Sequence, residues 1–263
     1  MERLVLLLSV LLLCLAASGP QEPVSGLCMI SDSHGKTQDR NTADVVLRLH
    51  DCANKNGDCG ISENSNIAWS RWTGISPEAL QQEGARLDSH LNGEAGDLRC
   101  SGTVHDGILA GRYQFTPDPA FLHKMESMGF DEITPRKQEG FLLLDVTSDW
   151  TRQMKDAGVT DLTTDKLMGL RALGVDLPYI YALAKAGYPE LNANRLTEMK
   201  AVGVTPEKIE EAKSLGFHPS EQELIQMCIF KIDRPFIERM KARGFTNLSL
   251  DKLIQVKIFK LEE

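Results

Sequence analysis

The chain has 263 residues, 42% hydrophobic and 25% charged, with 29 Lys and Arg against 37 Asp and Glu for a net charge of −8. That composition excludes a collagen-like or disordered chain and allows one large domain or two modest ones. The acid excess lies early: residues 19–120 carry 8 basic and 14 acidic side chains, residues 121–263 carry 20 and 22. Neither part has the basic surface that a phosphate backbone requires, so no nucleic-acid partner is expected.

The first predicted element is a signal peptide over residues 1–18. Met1-Glu2-Arg3 is followed by an apolar run from Leu4 to Leu15 and by small residues at Ala16-Ala17-Ser18. The run is shorter than the ~20 residues a membrane span needs. Cleavage is therefore expected to leave a secreted or periplasmic protein with no integral membrane segment. A lipid anchor on Cys14 is the weaker reading, because Leu13 precedes it.

Removing the signal leaves Cys28, Cys52, Cys59, Cys100 and Cys228 in an oxidising compartment. The odd count leaves one thiol over. Cys52 and Cys59 flank a Gly/Asn-rich loop that a local bridge would close, and Cys28 is expected to pair with Cys100, which makes Cys228 the free thiol. Residues 19–44, rich in Ser, Asp, Thr and Gln, read as a flexible leader.

Residues 45–118 read as a small β domain. Leu47 and Leu49 alternate with Arg48 and His50, and Ile67, Trp69 and Arg71 begin a second strand. Ser76-Pro77-Glu78 has the form of a helix start. Asp106-Gly107 between Thr103-Val104 and Ile108-Leu109 marks a β-hairpin. A meander of four or five strands is expected, helped by disulfides.

After Thr116-Pro117-Asp118-Pro119 the apolar period lengthens from two to about 3.6. Gly129, Gly158, Gly187 and Gly216 recur at 29 residues, and Gly244 follows at 28. Phe130, Val159, Tyr188, Phe217 and Phe245 come directly after them. Pro119, Pro178, Pro206 and Pro235 mark helix starts, and Thr134, Thr163 and Ser249 are candidate N-caps. Lys231 and Lys260 stand where earlier units have Gly174 and Gly203. The predicted fold is thus α+β: an N-terminal antiparallel β-meander, then, over residues 119–263, an all-α solenoid of five helical-hairpin repeats of about 29 residues.

The segments Ala184-Lys185-Ala186-Gly187-Tyr188 and Met199 to Ile209 resemble short helical repeats found after the peptidase domain of beta-lactam-sensor-type membrane metallopeptidases. Similar repeats recur in secreted bacterial proteins of unknown function, and the stretch from Asp106 to Phe121 is similar to their hairpin-to-repeat junction. The likeness covers about residues 85–263 and implies an architecture rather than a chemistry, because the peptidase part has no counterpart here.

No catalytic motif stands out, and neither a cofactor nor a metal is expected. His34, His50, His90, His105, His123 and His218 lack the paired spacing of a zinc peptidase. Ser31-Asp32-Ser33-His34 reads as a solvated turn. Cys52 to Glu63 has part of a calcium-loop pattern, but Cys52 occupies the place of the first carboxylate. Arg171, Lys200 and Lys257 recur at one place in the second helix of their units, suited either to an anionic partner or to the helix dipole. Tyr181 falls where other units carry Arg152, Glu210 and Glu238, so it is expected to be an exposed aromatic contact. Cys228, in the slot of Arg171 and Lys200, is expected to be a partly exposed thiol. The function expected is a non-catalytic binding or scaffold protein presenting its helical surface to a protein partner. The alternatives are an envelope regulator of a membrane metallopeptidase sensor system, drawn from the resemblance, and a hydrolase with its site in the β domain.

Overall fold

Alternating inward side chains, Cys28 and Ile30, then Val45 and Leu47, then Leu98, Cys100 and Val104, then Leu109, Tyr113 and Phe115, are all essentially inaccessible and line one face of a sheet. A computed structural model describes residues 22–33, 41–49, 61–245 and 248–260. Its strands are β1 (Val24–Asp32), β2 (Thr42–Leu49), β3 (Ile61–Ala68), β4 (Trp72–Thr73), β5 (Arg86–Gly93), β6 (Gly96–His105) and β7 (Ile108–Pro117). They form one seven-stranded antiparallel sheet in the order β3-β2-β1-β7-β6-β5-β4. The edge strands β3 and β4 follow one another through a 3₁₀ turn at Trp69–Arg71, and the sheet curls into a nearly closed barrel.

The curl has a local cause. Cys28 on β1 and Cys100 on β6 are disulfide-bonded with Cα atoms 6.2 Å apart, although β7 runs between their strands. Two strand spacings in a flat sheet would hold them at least about 9.6 Å apart. Gly102 and Gly111, cross-strand partners at the bend, permit this approach. A Cβ on Gly111 would lie 2.1 Å from the Ser101 carbonyl oxygen, and one on Gly102 would lie 2.1 Å from that of Ala110. Only glycine fits such a corner.

Among the described residues ten α-helices follow: α1 (Pro119–Ser127), α2 (Pro135–Leu144), α3 (Ser148–Asp156), α4 (Thr164–Ala172), α5 (Leu177–Lys185), α6 (Ala193–Ala201), α7 (Pro206–Ser214), α8 (Glu221–Phe230), α9 (Arg234–Ala242) and α10 (Leu250–Ile258). Their starts follow the expected chemistry. Thr134, Thr163 and Ser249 accept from the backbone N–H of Lys137, Lys166 and Lys252. Ser76 accepts from Ala79 N at 3.2 Å at the short 3₁₀ helix Ala79–Gln81. Gly129, Gly158, Gly187, Gly216 and Gly244 all have positive φ, as stop residues after a helix should. Lys231 and Lys260 adopt the same left-handed conformation, φ 52° and 51°, without being glycine.

Four expectations are corrected. The four- or five-stranded meander is a nearly closed seven-stranded sheet, and Ile67, Trp69 and Arg71 do not begin a strand but span the end of β3 and the 3₁₀ turn. The stretch read as a leader contains β1, the strand between β2 and β7. The five-unit solenoid is replaced by helices whose core is continuous with the sheet. α2 packs against β1, β3, β5, β6 and β7, and a single buried cluster extends from Cys28 in β1 to Ile225 in α8. A second, smaller cluster gathers Ala212, Met227, Ile232, Phe236, Ile237, Met240, Leu250, Leu253 and Ile254 at the C-terminal end. The helices are therefore anchored on the sheet at one end and closed over a separate core at the other.

The anchoring is polar as well as apolar. Gln138, fully buried on α2, donates to the carbonyl oxygens of Ala95 and Asp118 at 2.8 and 2.7 Å. Glu94 accepts from Ser148 N and Oγ and from Lys124 Nζ, joining the β5–β6 turn to α3 and α1. Arg71 donates to Leu142 O and Leu143 O at 2.6 and 3.2 Å, which satisfies carbonyls at the C-terminal end of α2.

Candidate binding surfaces

Arg171, Lys200 and Lys257 are held by the chain itself. Arg171 donates to Leu144 O at 3.2 Å and Asp145 Oδ2 at 2.9 Å, with its guanidinium 5.3 Å from the Trp150 ring centre. It thereby completes, with Arg71, the capping of α2. Lys200 and Lys257 each stand 4.3 Å over the rings of Tyr179 and Phe236. The neighbouring cations behave alike: Lys155 donates to Met128 O and Lys213 to Ala186 O, each on a helix end 27 residues earlier. The basic stripe read from the sequence is thus a set of internal ties.

Tyr181 is 57% exposed on α5, as expected from its register. Cys28 and Cys100 are bonded to each other. The expected Cys52–Cys59 bridge, the calcium-like pattern from Cys52 and the signal peptide lie outside the described residues, except that Ile61–Glu63 belong to β3. Cys228 is a free, half-buried thiol whose Sγ lies 3.8 Å from Lys208 Nζ. Burial pushes it up from the ordinary thiol value, and Lys208 opposes that only in part.

The histidines of the sheet face carboxylates. His90 Nδ1 is 3.3 Å from Asp97, and His105 Nδ1 is 2.9 Å from Glu83. Among the described residues no hydroxyl or thiol is hydrogen-bonded to either ring, and no three His, Cys, Asp or Glu side chains are grouped to hold a metal ion. Nor is any single described helix long and apolar enough to cross a membrane.

A surface that the sequence reading missed lies on the outer face of the sheet. Register places Arg48, Leu27 and Arg112 side by side across β2, β1 and β7, with Val46, Met29 and Ala110 in the next row and Ser31 and Ile108 beyond. Leu27 and Met29 are 47% and 46% exposed and Ile108 is 38% exposed. The first two rows, with the backbone of Gly111 between Ala110 and Arg112, border a shallow groove of about 710 Å³. On the β5–β6 side the face is polar: Arg99 makes two 2.6 Å bonds to Asp88, which also accepts from Ser101. Those bonds hold the Asp88 carboxyl far below its usual range. Arg112, by contrast, makes no ion pair with a described side chain.

Beneath this sheet the side chains of α2 create a second electrostatic feature. Glu139, 1% exposed, pairs with Arg136 at 2.8 Å, and the buried Tyr113 hydroxyl stands near enough to bear on its titration. Burial raises the Glu139 carboxyl above its ordinary value even so.

Comparison of the chain with protein-family profiles, with curated proteins and with solved structures finds no match.

Proposed function

We propose that the chain is an exported, non-catalytic binding protein that docks a protein partner on the outer face of its barrel-like sheet. The observation that carries this reading is the adjacency of Leu27 and Met29, each nearly half exposed, on a strand whose inward Cys28 and Ile30 are fully buried. A contiguous apolar patch bordered by charged side chains is costly to leave in water and marks an interaction site. Arg48 and Arg112 beside Leu27 favour a partner surface that is apolar with acidic margins. Export is supported by the apolar run at Leu4–Leu15 and by the buried Cys28–Cys100 bond, which belongs to an oxidising compartment. A second docking surface on the helices is favoured by Tyr181, whose exposed ring has no internal partner among the described residues.

A photo-crosslinking side chain at position 29, with position 190 as control, tests the proposal in the exported full chain. Discrete protein adducts at position 29 that disappear with Leu27→Asp are expected. Identical adducts from both positions, or none from position 29, refute it.

A further inference from the structure

We infer that the chain also binds a small carboxylate carrying an apolar group about the size of one aromatic ring, in a cavity at the seam between its two cores. α8 crosses that seam: Leu224 and Ile225 belong to the core that begins in the sheet, Met227 to the C-terminal one. A cavity of about 160 Å³ opens where the two fail to merge, with Leu215, Leu224, Met227 and Ile232 as its apolar lining. An apolar cavity of ~150 Å³ accommodates benzene, so one ring or a branched chain of similar bulk fits.

The charged lining decides what the apolar group should carry. Glu211 accepts from the Arg234 backbone N–H at 3.3 Å and lies 3.8 Å from its Nε. Asp233 caps α9 by accepting from Phe236 N at 3.0 Å. These two acids stand against three cations, Lys208, Lys231 and Arg234, so the lining is cationic on balance. Lys208 Nζ donates to Gly203 O at 2.7 Å and to Cys228 Sγ at 3.8 Å, which leaves it one N–H, and the Lys231 ammonium makes no hydrogen bond or ion pair to any described group. The unspent donors are cationic and the lining between them is apolar, which selects a monoanion with a hydrophobic body. The local balance agrees: residues 231–260 hold eight basic and three acidic side chains in a chain whose net charge is −8. The same chemistry is available from a free aromatic acid or from the carboxyl terminus of a polypeptide ending in an aromatic residue.

The Cys228 thiol lines this cavity and reports on its occupancy. The test titrates the full chain with 3-phenylpropanoate, following heat and the rate of alkylation mapped to Cys228, beside 3-phenylpropylamine and acetate. Saturable binding of the phenyl acid alone is expected, with Cys228 protected at saturation and the affinity lowered about tenfold by Lys231→Gly through loss of one charge-assisted contact. Acetyl-glycyl-phenylalanine, compared with its amide, identifies the source. Binding of the peptide acid at least as tight as that of the free acid assigns the site to a chain terminus, and weaker binding assigns it to a free acid. Failure of the phenyl acid to saturate by about 10 mM, equal binding of the amine, or binding that leaves Cys228 unprotected overturns the inference.

Discussion

Replacing both half-cystines, Cys28→Ala with Cys100→Ala, should remove a large part of the stability of the sheet. The bond closes a loop with a sequence separation of 72, and restricting an unfolded chain over that length is worth about 4 kcal/mol by chain entropy. Both sulfurs are buried, Cys28 at 1% and Cys100 at 0% exposure, so the variant also gives up some packing. The glycine corner at Gly102 and Gly111 remains, and the bend should survive without its covalent tie. With domains holding about 5–15 kcal/mol in total, the variant should stay folded at 25 °C but with its margin greatly reduced. Urea unfolding followed by tryptophan fluorescence measures the change, since Trp69 and Trp72 are buried in the same core. A loss of under about 1 kcal/mol at unchanged denaturant dependence would refute the account of the bond as a closure of the bend. Burial has a kinetic corollary: reduction of the native protein should be no faster than the opening of the sheet.

Gly111→Ala should lower the unfolding midpoint more than a surface Gly→Ala, because its Cβ meets backbone at 2.1 Å; an unchanged midpoint counts against the corner. Lys231→Gly should raise stability by up to about 1 kcal/mol by relieving a left-handed residue of its Cβ, measured by thermal unfolding. Burial raises the folded-state value of Glu139, so its contribution to stability is complete below the ordinary carboxyl value of ~4.3 and is lost as pH climbs through the folded value. Glu139→Gln should accordingly gain on the wild type as pH rises across that window, and a gap between the two that is independent of pH would exclude a titrating Glu139. Leu27→Asp should change stability by no more than about 0.5 kcal/mol, as expected for an exposed position, while suppressing partner adducts.

What could be read from the sequence was local. Thr134, Thr163 and Ser249 cap helices because a short side-chain oxygen reaching an N–H three residues on needs no tertiary context. The 29-residue glycine spacing marks left-handed helix stops for the same reason. What those helices pack against could not be read, since a period counts elements and not their neighbours. α2 looks ordinary in sequence, yet it buries Gln138 and Glu139 because Ala95, Asp118 and Arg136 supply partners from elsewhere or from the same helix. β1 escaped notice for a related reason. Leu27-Cys28-Met29-Ile30 is an unbroken apolar run, since the outward Leu27 and Met29 are as apolar as the inward Cys28 and Ile30. The exposed patch thus erased the alternation that would have revealed both the strand and the candidate site.

Because α7 and α8 each contribute to both cores, the polypeptide should behave as two cooperative units coupled through those two helices. Heating should then yield two endotherms, the smaller belonging to the C-terminal core, whose apolar interior is nine side chains from α7 onward and carries no cross-link among the described residues. Amide exchange would report the same hierarchy, with the tail opening many times for each opening of the barrel. A molecule built this way can loosen one end without surrendering the other.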